Sequence, residues 1–193
     1  MPKALSAAEV VAFTGLEERR VRKDVEYGFF GSASPPRFEL PAVVYFRAVA
    51  ELGFDLGVED RKKLYLLIRD ALKAKAPPAR LALSAITELK LGDIVSDVKR
   101  KLERFEAWKA KLAVDERVLG GEPVFSKSRL AVRQVGGMLL KGASPAHVRE
   151  DYPYLKDEDL EFARLYALAY PRVGRPREAS ARSAQHPLAR RAH

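Results

Sequence analysis

The chain has 193 residues, 47% of them hydrophobic and 32% charged, which suffices for one large or two small cores and predicts a soluble globular protein. The absence of cysteine excludes disulfides, thiolate metal sites and a cysteine nucleophile, and no apolar run approaches the length of a bilayer span. A net charge of +9 and a pI near 9.8 point to an anionic partner, yet the charge is −1 over 1–56, +6 over 57–114, −1 over 115–170 and +5 over 171–193, so the excess lies outside the two stretches that look most like nucleic-acid readers.

Residues 1–56 read as a first unit. Glu9 follows close behind Lys3, so the start lacks a signal-peptide pattern and a cytoplasmic location is expected. Ser6 and Glu9 form a capping box ahead of Val10, Val11 and Phe13, and Gly15 makes a turn. Leu16 to Tyr27 then predicts a second helix ended by Gly28. On it Arg19, Arg22 and Lys23 share a face, Arg20 lies beside them, and Val21 and Val25 point inward. Phe29 to Phe38, rich in Gly, Ser and Pro, predicts a two-stranded wing or an irregular loop, before a helix from Leu40 to Leu52. Helix, turn, basic helix, wing and helix in this order resemble the winged DNA-binding domain of MerR-type regulators. That resemblance makes Arg19, Arg20, Arg22 and Lys23 contacts to phosphates or base edges. The competing reading is a solvated face on which Glu17, Glu18, Asp24 and Glu26 pair with the four bases and cancel their charge.

Residues 57–114 read as a helical connector. Val58-Glu59-Asp60 opens a helix whose acidic first turn suits the helix dipole, with Leu64, Leu66, Leu67, Ile68 and Leu72 on its apolar side and Pro77-Pro78 after its end. Alternation from Leu81 to Leu91 predicts a short hairpin. Gly92-Asp93 leads into a long helix with Ile94, Val98, Leu102, Phe105 and Leu112 as a stripe and Trp108 adjacent. Its other side carries Lys99, Arg100, Arg104 and Lys111, either a solvated face or a track along a phosphate backbone.

Residues 115–170 hold the densest punctuation. Gly120-Gly121 and Pro123 predict a turn, and Val124, Phe125, Leu130 and Val132 an exposed short strand, around the polar Ser126 to Arg129, that could pair with its twin in a second copy. A helix from Val132 to Lys141 ends at Gly142. Ser144-Pro145 starts a second one that stops before Pro153, and Asp157-Glu158-Asp159 opens a third. Two short helices across a Gly-containing turn fit either a helix-turn-helix or a plain helical packing unit. Leu119-Gly120-Gly121-Glu122-Pro123-Val124-Phe125, Ser128-Arg129-Leu130-Ala131-Val132, Gly142-Ala143-Ser144-Pro145 and Asp151-Tyr152-Pro153-Tyr154-Leu155 resemble the bacterial domain of unknown function 433. Its pattern is Gly-Gly-x-Pro, Gly-Thr-Arg-Ile-Pro-Val, Gly-x-Ser, Tyr-Pro-x-Leu; here Lys127 to Ala131 departs from the Gly-Thr-Arg-Ile-Pro block. The resemblance implies a helix-turn-helix-like domain of VapB-type antitoxins, encoded beside a PIN-like ribonuclease toxin. Arg129, Arg133, Lys141 and His147 are its candidate DNA contacts.

Residues 171–193 carry many basic residues and almost nothing apolar, which predicts a disordered tail when free. One reading is a nonspecific nucleic-acid tail. The other is a partner-binding segment, because the antitoxins resembled use C-terminal segments to cover their toxins. Arg172, Arg175, Arg177 or Arg182 would then enter the acidic, metal-holding site of the ribonuclease, where a guanidinium can bond a carboxylate through two donors. No catalytic constellation, cofactor motif or metal-ligand spacing is expected among His147, His186, His193 and the acidic pairs, so an enzyme is not predicted. The expectation is a mainly α protein with two helix-turn-helix-like modules, short strands and a helical connector. It would act as an antitoxin that binds operator DNA as a homodimer and assembles further with its toxin, without a membrane. The alternative is a stand-alone transcription regulator, and a third reading is an adaptor with no DNA role.

Overall fold

The computed structural model describes residues 4–31, 34–52, 54–85 and 87–171. Within them the chain is mainly helical, with a single two-stranded sheet. Helix α1 (Ala7–Thr14) starts at the expected capping box: Ser6 Oγ accepts from the Glu9 N–H, and a Glu9 carboxylate oxygen accepts from the Ser6 N–H at 2.7 Å. Gly15, at φ 74°, ends it in the left-handed conformation that glycine adopts without strain. After a three-residue turn, α2 (Glu18–Glu26) begins, two residues later than expected.

Among the described residues, the stretch between α2 and the next helix forms no two-stranded wing. One bridge, Leu5 to Phe38, closes it, so the irregular-loop alternative holds. Phe29, Phe30 and Phe38 turn inward from it onto α3 (Leu40–Glu51), whose residues Ala42 to Phe46 are all buried. A helix apolar all round must be covered on every side. Here α1 and α4 (Val58–Lys73) cover it, together with Phe30, whose ring lies 5.1 Å from Phe46 and 4.8 Å from Tyr65. On α4 the inward positions are Arg61, Leu64 and Ile68; Leu67, expected on the apolar side, is exposed.

The predicted hairpin is present as β1 (Leu81–Ala82) antiparallel to β2 (Glu88–Leu89). It delivers the chain to α5 (Leu91–Lys109), which buries Leu91, Ile94, Val98, Leu102, Phe105 and Trp108, spaced three or four apart along one face. Leu112, expected on that stripe, lies beyond the helix end. The α5 stripe joins the two ends of the molecule. Phe105 meets Phe13 of α1 edge-on at 5.1 Å and Phe162 of the last helix at 5.8 Å, and the Trp108 indole N–H donates to Asp159 at 2.9 Å. One continuous apolar core therefore runs from Val10 to Tyr166.

The stretch Val124 to Val132 corrects the expectation of a free strand available for pairing with a second copy. Val124 is bridged both to Ala113 and to Ala131, and Val124, Phe125, Leu130, Ala131 and Val132 are buried. Between them Lys127, at φ 61°, reverses the chain, and Ser128 Oγ accepts from the Leu130 N–H. Helices α6 (Val132–Leu140), α7 (Pro145–Asp151) and α8 (Asp157–Ala169) follow, with Ser144 capping α7 as expected. Helix α6 lies so close to α8 that a Cβ on Gly136 would stand 2.1 Å from the Ala163 carbonyl oxygen. No helix among the described residues is long and apolar enough to cross a membrane.

Candidate nucleic-acid interface

Helices α1 and α2 form the first helix pair, and the orientation of α2 decides what its cations face. Val21 and Asp24 are buried and Val25 half-buried, so the helix turns this edge inward. The competing reading of α2 as a solvated face has Asp24 pairing with bases of its own helix. Asp24 is instead fully buried and holds a clamp: Tyr45 Oη donates to one carboxylate oxygen at 2.7 Å and Arg61 Nε to the other at 3.0 Å. Arg61, 4% exposed, also donates to the Leu56 carbonyl at 2.7 Å. A buried carboxylate requires such partners, and the three groups fix the roll of α2 against α3 and α4. Burial, followed by the hydrogen bond to Asp24, pushes the Tyr45 hydroxyl far above the usual phenol range.

The clamp leaves Arg19, Arg22 and Lys23 facing solvent. Arg22 pairs with Glu18 one turn back at 2.8 Å, both side chains being largely exposed. Arg19 and Lys23, four residues apart on one face, have no hydrogen bond or ion pair among the described residues. The predicted cancellation of charge on α2 is thus incomplete. Arg20 differs from both: it is half-buried and bonded to Asp55, in the segment after α3.

The second helix pair, α6 and α7, distributes its predicted contacts differently. Arg133 is an internal strut: its Nε donates to Glu122 at 3.0 Å, its Nη1 to the Tyr170 carbonyl, and its guanidinium lies 5.9 Å from the Tyr166 ring centre. His147 is exposed beside Glu150, 3.4 Å away, and Arg149 bonds Asp157 at 2.6 Å. With Glu150 and Asp151 also exposed, the outward side of α7 is rich in carboxylates. Arg129 and Lys141 are exposed without partners among the described residues, but they stand before and after α6, separated by nine helical residues or about 13 Å. Arg172, Arg175, Arg177 and Arg182 lie outside the described residues.

Helix α5 offers little of the phosphate track considered for it. Arg100 pairs with Asp97 at 2.9 Å, and Arg104 and Lys111 reach Glu158 of α8 at 3.5 and 3.9 Å, which leaves Lys99 as the cation of that group without a side-chain partner among the described residues.

Residues 112–167 match the family model described as protein of unknown function, DUF433. The match opens in the loop after α5, so it includes Ala113, which bridges to Val124, and runs into the last turn of α8. It leaves α1 to α5 outside. No curated protein and no solved structure matches the chain.

Three functional groupings escaped the reading of the sequence. The Asp24–Tyr45–Arg61 clamp had a visible trace: an acid stands three residues after inward Val21, and a base three before inward Leu64 and seven before Ile68. Gly136 looked like any helical glycine. The third grouping is the junction at Tyr170, whose hydroxyl donates to Glu9 at 2.9 Å and accepts from Lys109 at 3.2 Å. Partners separated by 161 positions leave no local signal.

Proposed function

We propose that this chain is the antitoxin of a type II toxin–antitoxin pair. In this reading the α1–α2 unit binds operator DNA, and the 171–193 segment engages a PIN-like ribonuclease in the cytoplasm. The observation that carries the DNA half is the outward face of α2, where the buried clamp leaves Arg19 and Lys23 unpaired four residues apart and Arg22 beside them. Such a face, on the second helix of a helix-turn-helix, suits a major groove flanked by phosphates. The sequence resemblance of residues 1–56 to MerR-type regulators points the same way for α1 and α2, but not for the wing, which is absent among the described residues. The toxin half rests on the resemblance of 119–155 to antitoxin domains and on the +5 charge of 171–193, which complements a carboxylate-lined nuclease site. One of Arg172, Arg175, Arg177 and Arg182 would occupy that site. A homodimer would match an inverted-repeat operator, its interface lying elsewhere than the buried Val124 to Val132 segment.

The test is co-purification of the full chain, and of a chain truncated after Tyr170, with the product of the adjacent gene, followed by RNA-cleavage assays and titration of the upstream DNA duplex. The expected result is a silent nuclease with the full chain and an active one with the truncation. Replacing Arg19 and Lys23 with Ala should lower the slope of log affinity against log salt by about 1.8, two phosphate contacts' worth. If no nuclease co-purifies while the chain still binds its upstream DNA, the stand-alone regulator replaces the antitoxin.

A further inference from the structure

The fourth cation of α2 behaves unlike the other three. Arg20 sits between the buried and outward faces of the helix, and its side chain is 26% exposed. Its guanidinium is bonded to the carboxylate of Asp55, which is 85% exposed and lies beyond α3. The pair borders a cleft of about 480 Å³ between the helix-turn-helix turn, at Gly15, Leu16 and Glu17, and the segment from Leu52 to Leu56. Glu17 is exposed there and has no side-chain partner among the described residues.

Exposed ion pairs add little to folding, so stability gives a weak reason for Asp55. Its effect on the α2 face is larger. It competes with any phosphate for the Arg20 guanidinium, and with Glu17 it places negative charge where a nucleic-acid backbone would pass.

We propose that Asp55 is a positioning residue that holds Arg20 away from DNA phosphates and thereby suppresses sequence-independent binding by the α2 face. This inference rests on the DNA-binding reading above. Nonspecific complexes draw their affinity from phosphate contacts, whereas specific ones add base contacts. A restraint on one phosphate-binding cation therefore widens the ratio between them.

The experiment titrates the full chain, Asp55→Asn, Arg20→Ala and the double variant with the upstream duplex and with a scrambled duplex of equal length, at several salt concentrations. Asp55→Asn should bind the scrambled duplex about fivefold to tenfold more tightly and steepen its salt slope by about 0.9, one added phosphate contact. In the Asp55→Asn background, Arg20→Ala should abolish the gain. Unchanged affinity of Asp55→Asn for the scrambled duplex would overturn the proposal, as would a gain that survives in the double variant. Arg19→Ala with Lys23→Ala, run alongside, separates the two failures. If that variant loses affinity while Asp55→Asn changes nothing, only the restraint is lost. If the parent and every variant leave both duplexes unbound, the DNA-binding reading falls and the restraint with it.

Discussion

The two helix pairs, α1–α2 and α6–α7, start from similar numbers of basic residues and end with different surfaces. In α1–α2 the internal ionic partner is Asp24, whose clamp comes from α3 and α4, so two cations on the outer face remain unpaired. In α6–α7 the cations hold the unit together: Arg133 ties Glu122 to the end of α8, and Arg149 ties α7 to its start. Counting Lys and Arg therefore says less about a nucleic-acid face than asking which of them remain after the fold has used its share. On that criterion α2 is the better candidate for the proposed DNA contact and α7, with Glu150 and Asp151 exposed, the poorer one.

The comparison breaks most directly at the clamp. Asp24→Ala or Arg61→Ala leaves the other charge buried without its partner, and each should cost about 3–5 kcal/mol in urea or thermal unfolding. Because the clamp sets the roll of α2, DNA binding should fall with it even under conditions where the variant remains folded. Full stability in Asp24→Ala would show that apolar packing of Val21 and Val25 alone holds the helix.

The C-terminal unit breaks at its close approach. Gly136→Ala places a methyl group where the Ala163 carbonyl oxygen and the Ala167 side chain already stand, so α6 and α8 must separate. The expected loss is about 1–3 kcal/mol, measured by chemical denaturation, as for other overpacked cores. Gly137 has open space at the same position, and Gly137→Ala should be neutral or slightly stabilising through helix propensity. Equal destabilisation by the two would refute the packing argument.

How much of this was legible follows from where each signal lies. The capping box at Ser6 and Glu9, the turn at Gly15, the acidic start at Val58 and the Ser144-Pro145 cap involve residues within four positions of one another, and each marks a real helix end. The stripe on α5 was readable because Ile94, Val98, Leu102 and Phe105 repeat with the helical period. Legibility failed where the partner is remote. Arg61 is 37 positions from Asp24, Ala163 is 27 from Gly136, and Glu9 is 161 from Tyr170. The Val124 to Val132 stretch misled for a different reason. Its β-forming residues are buried in a tight reversal rather than laid along a strand, and composition does not separate the two.

The alkaline limb of stability sharpens the role of Tyr45. Its hydroxyl is held protonated by burial and by Asp24, so the folded state binds that proton more tightly than the unfolded chain, in which a phenol titrates near pH 10. The contribution is fully present below about pH 10 and is lost as pH rises, at about 1.4 kcal/mol per pH unit. Tyr65 and Tyr170 are shifted in the same direction, both chiefly by burial, and add to the slope. Tyr45→Phe should make the limb shallower by one proton. An unaltered limb would mean that Tyr65 and Tyr170 carry it.

The smallest expected effect is also the one that decides between the two units. Arg129→Ala and Lys141→Ala remove the unpaired cations around α6, which stand apart and beside an acidic helix, so upstream DNA should bind the double variant with nearly the parent's affinity and salt slope. Both side chains are exposed and make no contact the fold needs, so a change could not be assigned to misfolding. A slope reduced by about 1.8 would assign two phosphate contacts to the C-terminal unit. Since His147 and Glu150 neighbour each other on α7, DNA would then have to approach along the ends of α6 rather than along α7. The operator-binding surface would move to the DUF433 segment, and α2 would become the solvated face that its acidic residues first suggested.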